Sequence, residues 1–290
     1  MVSGLLIINK PKGLTSHDVV AQIRRITGQR KAGHTGTLDP MATGVLVVCL
    51  GQATRLIEYI VAARKQYRAV IRFGVTTDTL DADGQVLTQT DIAGLTADQL
   101  RAALPAFTGQ IEQRPPMYSA IKQDGQPLYK RARAGQTVDI PPRPVTIFQL
   151  DWLDWQPPDL TLEVTCSAGT YIRSLARDLG QAAGTGAHLA GLARTANGDW
   201  TLAQATALES LTPANWRESL LPVDRAVAHL PRVALAPDNT EHVRHGRQIE
   251  LPESPAPGNV LAAFTSDNTF LAILARTEDN GWQPKKVFHS

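Results

Sequence analysis

The chain has 290 residues, of which 43% are hydrophobic and 19% are charged, and its formal net charge is +2. This composition excludes an intrinsically disordered chain, and no apolar run approaches the ~20 residues that span a bilayer. The first residues also lack the basic-then-apolar pattern of a secretory signal, so we expect a cytoplasmic protein. Cys49 and Cys166 lie in apolar, strand-like segments and are expected to be buried thiols.

The first 50 residues are predicted to form a strand, a capped helix and a glycine-rich loop. The apolar run 5–10 is typical of a strand, and Thr15 with Asp18 three residues later matches a capping box at the start of a helix. The loop 33–44 holds three glycines and presents Asp39 before Pro40, ahead of an apolar strand over 45–50. The pattern suits a functional acid, but Asp before Pro is also ordinary turn chemistry.

The next segment is predicted to contain a helix over 54–63, a strand over 65–74, a polar turn over 77–84 and a helix over 96–104. Period-two counting along the strand places Tyr67 at the edge of its apolar face. Tyr67 is therefore either a core residue or a half-exposed ring that stacks on a base.

The basic segment 114–143 is rich in Gly, Pro and Gln, and we expect a functional loop there with a short helix around 128–134. A compositional change near 225–232 precedes short β-like runs, which predict a small all-β unit. The predicted elements after residue 144 are strands over 145–152 and 160–166, a helix over 170–179, a strand over 188–195, and the β-like runs 233–235, 243–251, 260–264, 270–274 and 287–288.

Positive charge is concentrated in two parts of the chain. Residues 1–80 hold 11 Lys and Arg against 4 Asp and Glu, and residues 114–143 hold 6 basic against 2 acidic residues. Two basic blocks indicate a polyanionic partner such as nucleic acid, although a solvated surface has the same composition.

The sequence motifs of metal and nucleotide sites are absent, so we expect neither a metal nor a cofactor. Ser119 with Lys122 matches S-x-x-K, and the run Ser266-Asp267-Asn268 matches the S-D-N of penicillin-recognising acyl enzymes. The third element of those enzymes, K-T-G, does not occur. We interpret both matches as coincidental.

Asp39 is a candidate nucleophile that would form a covalent intermediate with a sugar carbon or an activated ring. It must then be ionised, and a guanidinium beside it is the usual means of keeping it charged. Arg173, at a predicted strand-to-helix junction beside Tyr171, is the candidate partner. The alternatives are that Arg173 is a solvated helix residue and that Tyr171 belongs to the core.

Six segments of the chain, taken in order, carry a resemblance to a known family: Lys10–Ser16, Gly33–Pro40, Lys65–Tyr67, Thr77–Asp81, Arg114–Lys122 and Cys166–Arg173. Together they resemble the bacterial transfer-RNA pseudouridine synthases that modify uridine 55 in the T arm, the TruB family. The resemblance covers residues 1–195 strongly, and the run 245–247 is similar to the small RNA-binding PUA domain of this family.

The resemblance implies that Asp39 is the nucleophile, that Arg173 is its ion-pair partner, and that Tyr67 stacks on the target uracil and takes part in proton removal. It leaves open whether Asp39 first attacks ribose C1′ or uracil C6. His34 would help to replace the flipped nucleotide. Leu192 lies in Leu-Ala-Arg, where the family commonly has Leu-Arg-Arg. The substrate-binding residues that it implies are His34, Tyr67, Tyr171, Leu192, Lys10 and Pro11.

The implied fold is α+β, with a mixed, mainly antiparallel sheet in a pseudouridine synthase catalytic domain over 1–229. Residues 114–143 would be its RNA-binding insertion, and residues 230–290 a small all-β PUA-like domain. The implied function is isomerisation of uridine 55 by base flipping, without cofactor or metal, in a monomer that binds the tRNA T stem-loop. The alternative is an RNA-binding or RNA-folding protein in which Asp39 is a turn residue.

Overall fold

The computed structural model describes residues 2–61, 63–119, 122–123, 126–127, 139–251 and 259–288. The strands are β1 Gly4–Lys10, β2 Ala32–His34, β3 Thr43–Leu50, β4 Lys65–Phe73, β5 Val75–Thr77, β6 Val86–Gln89, β7 Gly109–Gln113, β8 Lys122–Gln123, β9 Gln126–Pro127, β10 Arg143–Gln156, β11 Asp159–Cys166, β12 Ala187–Asn197, β13 Trp200–Thr201, β14 Thr206–Ala207, β15 Arg232–Ala234, β16 Val260–Phe264, β17 Phe270–Arg276 and β18 Trp282–Val287. The α-helices are α1 Ser16–Thr27, α2 Ile57–Val61, α3 Ala97–Ala103, α4 Ile172–Ala182 and α5 Pro237–Arg244.

Within these ranges, ten strands form a central sheet in the order β14-β1-β3-β12-β4-β11-β10-β7, with β13 paired to β12 and β2 paired to β3. Most neighbours are antiparallel, and the parallel pairs are β1 with β14 and β3 with β12. A separate sheet has the order β15-β16-β17-β18. The prediction of a mixed, mainly antiparallel α+β fold with a small C-terminal sheet is confirmed.

The strands β1 and β3 are buried on both faces. Successive residues of β3 alternate between two hydrophobic clusters, so that Leu46 and Val48 belong to one cluster and Val45 and Val47 to the other. The first cluster packs against α1 and α4, and the second continues into the small sheet through Phe264. This double burial explains why the run over 45–50 is continuously apolar instead of alternating.

The first helix begins as its sequence predicts. Thr15 accepts a hydrogen bond from the backbone N–H of Asp18, and the Asp18 carboxylate accepts one from the backbone N–H of Thr15. The helix ends before Gly28, whose φ of 67° is in the left-handed region. The buried face of α1 carries Val19, Val20 and Ile23.

Two predicted elements differ in the structure. The helix expected over 54–63 is a 3₁₀ segment over Gly51–Leu56 followed by the short α2. The Thr54 hydroxyl donates to the Gly51 carbonyl, and this side-chain hydrogen bond competes with the backbone hydrogen bonds of a regular α-helix. The β-like run 243–251 begins inside α5, because Pro237 at the first helical turn favours a helix there and Val243 becomes its buried residue. The helix expected around 128–134 lies outside the described residues.

The small sheet packs against the central sheet through apolar contacts and a few polar ones. The Arg55 guanidinium donates to the Val287 carbonyl at 2.6 Å, and Lys286 forms an ion pair with Glu58. Cys49 lies in the cluster between the sheets, Cys166 lies in the other cluster, and both are buried free thiols, as predicted. No helix of the described ranges is long and apolar enough to cross a membrane.

Gly44, at the start of β3, is required by the packing of β3 against β12. Its φ is 99°, and a Cβ placed there would lie 2.3 Å from the Arg194 carbonyl oxygen. We expect Gly44→Ala to lower the free energy of unfolding by about 2–4 kcal/mol, because it combines backbone strain with a steric clash. Denaturant titration measures the loss. Gly94→Ala is the control, since its Cβ would meet nothing within 4 Å; equal stability of the two variants would contradict this account.

Candidate active site

Asp39 lies in the loop between β2 and β3, and α1 holds this loop in place. The backbone N–H of Leu38 donates to the Ser16 hydroxyl at 2.8 Å, and the same hydroxyl donates to the Leu38 carbonyl at 3.1 Å. The Asp39 carbonyl accepts from the backbone N–H of Ala42, which closes a turn. The loop is therefore fixed around the Asp39 carboxylate, whose side chain is 31% exposed.

The structure brings Arg173 to this carboxylate across a separation of 134 residues. Arg173 is the second residue of α4, and its side chain is only 6% exposed. Its Nε lies 3.0 Å from Asp39 Oδ2, and its Nη2 donates to Asp39 Oδ1 at 3.1 Å. Arg173 is thus a buried guanidinium that faces both carboxylate oxygens, and not a solvated helix residue.

Arg173 also has a second acidic neighbour, Asp81, to which the sequence analysis gave no role. Asp81 Oδ2 lies 3.7 Å from Arg173 Nη1, and the Asp81 side chain is 7% exposed. The Thr79 hydroxyl donates to Asp81 Oδ1, and the guanidinium donates to the carbonyls of Thr79 and Tyr118. Arg173 therefore lies between two carboxylates, and its position depends on the turn after β5 as well as on the Asp39 loop.

Burial has the largest effect on Asp39 and raises the pKa of its carboxyl group. Arg173 lowers this pKa by its charge and by its hydrogen bond, Asp81 raises it, and Lys10 lowers it. Burial in the loop therefore opposes ionisation of Asp39, and the charge of Arg173 favours it.

Asp39 and Arg173 line a cavity of about 270 Å³ together with three other residues that the sequence singled out. Tyr67 comes from β4 and is 8% exposed, which makes it more buried than the edge position predicted. Tyr171 precedes α4, and its backbone N–H and carbonyl are both bonded to the Gln113 amide, a partner that the sequence analysis did not find. Leu192 comes from β12.

His34, Lys10 and Pro11 do not line this cavity. His34 lies at the end of β2 beside the Asp39 loop, and its ring meets that of His17 edge-on with centroids 5.3 Å apart. Burial, with the nearby charges of His17 and Arg194, lowers the pKa of His34 to about 4.

Lys10 is fully buried, and its role in substrate binding stays a prediction. Its ammonium group donates to the carbonyls of Leu14, Pro11 and Pro40, at 2.6, 2.9 and 3.4 Å. Burial lowers the pKa of Lys10 to about 8. Through these contacts Lys10 joins the segment after β1 to the Asp39 loop.

The described part of the insertion 114–143 begins at the cavity. Tyr118 and Ser119 line it, and Arg114 forms an ion pair with Asp139 at the other end of the insertion.

Asp267, of the S-D-N match, lies in the β16–β17 turn of the small sheet and is no part of this cavity. Among the residues that the structure describes, no group of three or more His, Cys, Asp or Glu could hold a metal ion.

Family models match most of the chain. The model described as TruB family pseudouridylate synthase (N terminal domain) matches residues 24–172, and the model described as tRNA pseudouridylate synthase B C-terminal domain matches residues 173–228.

Relatives of known name align over nearly the whole chain. A protein named tRNA pseudouridine synthase B from Pseudomonas aeruginosa (strain UCBPP-PA14) is 44% identical over 100% of this chain and 97% of its own length. A protein of the same name from Arthrobacter sp. (strain FB24) is 46% identical over 99% of this chain and 96% of its own length.

Two solved structures resemble the whole chain. One is described as an H/ACA RNP bound to a substrate RNA containing 2′-deoxyuridine; its matching chain has a TM-score of 0.76 and 27% identity, with coverage of 99% of this chain and 85% of that one. The other, a Cbf5-Nop10-Gar1 complex, has a TM-score of 0.75 and 28% identity, with the same coverage.

Proposed function

This chain belongs to the TruB family of pseudouridylate synthases, which are isomerases, and from this premise we propose that it converts uridine 55 in the T arm of tRNA to pseudouridine. The observation that carries the proposal is the position of the Arg173 guanidinium beside both oxygens of Asp39, at the wall of a cavity that Tyr67 and Leu192 also line. This arrangement provides a charged nucleophile beside an aromatic surface for a base.

We propose that the target nucleotide turns out of its stack to reach Asp39, because a base inside a folded loop cannot enter a closed cavity. Unstacking costs a few kcal/mol, which stacking on Tyr67 and contacts with phosphates offset. Exposed basic residues near the Asp39 loop supply such phosphate contacts, which makes binding sensitive to salt. These residues are Lys12, Arg24, Arg25, Arg30 and Lys31.

In the proposed reaction an Asp39 oxygen bonds to ribose C1′ or to uracil C6. The N1–C1′ bond breaks, the uracil rotates, and a C5–C1′ bond forms. The bond between the Asp39 oxygen and the substrate carbon then breaks, which restores the free carboxylate. The proton at C5 leaves to a base and N1 gains one, so atoms and charge balance. Tyr67 stacks on the ring and takes part in removing the C5 proton. There is no net redox change and no external group is transferred, so the reaction requires no cofactor.

We propose further that residues 1–229 form the catalytic domain, that residues 230–290 form a PUA-like domain that binds RNA, and that the monomer acts in the cytoplasm. The separate sheet β15–β18 supports the division, and α5 with the turn after it adds basic side chains to the second unit. The tRNA T stem-loop is the proposed partner of both units.

The test is incubation of a T-stem-loop RNA with a tenfold smaller amount of protein, followed by mass mapping of pseudouridine. We expect conversion of one uridine, at the position of U55, to near completion and unaffected by a chelator. A protein that only binds or folds RNA would give no conversion. Modification of a different uridine would contradict the site assignment while leaving the enzyme class intact.

A further inference from the structure

Arg194, at the end of the Leu-Ala-Arg run in β12, is a buried guanidinium without an acidic partner. Its side chain lies at the wall of the cavity, and the residue is 1% exposed. Within the described ranges, no carboxylate lies at ion-pair distance from it. An unpaired buried cation is costly to keep, so its position needs an explanation.

The Arg194 guanidinium is anchored at both ends of the loop that carries Asp39. Its Nε donates to the Val45 carbonyl at 2.7 Å, and its Nη2 donates to the Gly36 carbonyl at 3.1 Å. The backbone of Arg194 also pairs with Gly44 between β12 and β3. The group is therefore fixed in place by neutral acceptors that leave its positive charge uncompensated.

Tyr67 is the residue directly opposite Arg194 in the pairing of β4 with β12. Burial raises the pKa of the Tyr67 hydroxyl, and the positive charge of Arg194 opposes this rise. The other titratable neighbours of Tyr67, Cys166 and Asp39, raise the pKa and have weaker effects. Arg194 is thus the group that favours negative charge on the phenolic oxygen.

The other basic groups around Arg194 are less suited to this task. Burial lowers the pKa values of Lys10 and Lys65 to about 8, and Arg194 adds to the lowering in both. Their ammonium groups donate to backbone carbonyls; that of Lys65 bonds to Val61 and Ala63. Arg194 remains charged at any working pH.

We propose that Arg194 is a positioning residue that acts through Tyr67, orienting its hydroxyl and stabilising its oxygen as that oxygen takes the proton from C5 of the rotated uracil. This inference rests on the proposed pseudouridine synthase function. In the step, the Tyr67 hydroxyl first gives its proton, through water, to N1 of the detached uracil. The C5–H bond then breaks, the proton passes to the phenolate oxygen, and the electron pair of the C–H bond restores the uracil ring, so that Tyr67 ends the reaction as a neutral phenol.

The test is a cycle of Arg194→Lys, Tyr67→Phe and the double variant, measured by single-turnover pseudouridine formation at saturating protein. Lysine keeps the charge but cannot donate in three directions from a planar group. We expect Arg194→Lys to slow turnover about tenfold to a hundredfold in wild-type Tyr67 and less than about threefold in Tyr67→Phe. RNA affinity should not change. Deuterium at C5 should slow Arg194→Lys more than wild type.

Arg72→Lys is the matched control, since Arg72 lies on β4 but in an exposed pair with Asp159. An equal loss in both Tyr67 backgrounds, or an unchanged deuterium effect, would overturn the inference. Arg194→Gln, which keeps two donors for the carbonyls, is measured alongside; loss of folding in both Arg194 variants would also overturn it, by making Arg194 a residue of the fold. Wild-type turnover tests the proposed function separately.

Discussion

Replacing Asp39 with asparagine is expected to abolish pseudouridine formation while leaving the fold and RNA binding in place. The amide has the size of the carboxylate but is no nucleophile, so the rate should fall on the order of 10⁴-fold or more. The variant should fold, because Arg173 keeps Asp81 as a neighbouring acid. Release of tritium from C5-labelled uridine measures the reaction, and filter binding measures the affinity.

Asp98→Asn is the matched control for this substitution. Asp98 is a 95% exposed residue at the start of α3, and its loss should change neither turnover nor affinity. Tritium release by Asp39→Asn at the wild-type rate would reject Asp39 as the nucleophile and return it to the role of a turn residue. Loss of RNA binding together with activity would point to a structural role of the loop.

Replacing Arg173 with lysine is expected to lower the single-turnover rate on the order of 10³-fold, with little change in RNA affinity. An ammonium group cannot face both Asp39 oxygens and also reach the carbonyls of Thr79 and Tyr118. Because Arg173 lowers the Asp39 pKa, the variant should have a higher Asp39 pKa. The rate should therefore rise with pH over a range that lies higher than in the wild type, which a pH–rate profile measures.

Arg72→Lys again provides the comparison, since the Arg72 guanidinium donates to both oxygens of a carboxylate, that of Asp159, but at the surface. It should keep the wild-type rate and profile. A profile of Arg173→Lys that coincides with that of the wild type would mean that Arg173 does not keep Asp39 ionised. An Arg173→Lys rate equal to that of the wild type would remove Arg173 from the catalytic residues.

Local sequence patterns predicted much of the fold because they act over a few residues. The Thr15 and Asp18 pair sets the start of α1, and the alternation around Tyr67 sets the buried face of β4. Val243 shows the limit of this approach. A β-branched residue favours a strand, but a helix that starts at Pro237 buries Val243 equally well, and packing against the small sheet decides between the two.

The candidate site was predictable only in part, because its charges are balanced through tertiary contacts. Asp39 and Arg173 belong to separate segments; the residues alone offered Arg173 as one candidate partner, and the family resemblance favoured the pairing. Asp81 lies in a turn whose composition is that of any polar turn, so its burial against Arg173 had no local signal. The burial of Lys10 also had no local signal, since a lysine after a strand is usually exposed, but three carbonyls converge on its ammonium group.

The two cysteines can be used to detect partial opening of the structure, because they lie in different hydrophobic clusters. Burial raises the pKa of Cys49 to about 12 and that of Cys166 to about 11, so neither thiol reacts readily while its layer is closed. They are the only two cysteines in the sequence. Alkylation of Cys49 therefore reports that the small sheet has lifted from the central one, whereas alkylation of Cys166 reports that the layer of α1 and α4 has opened.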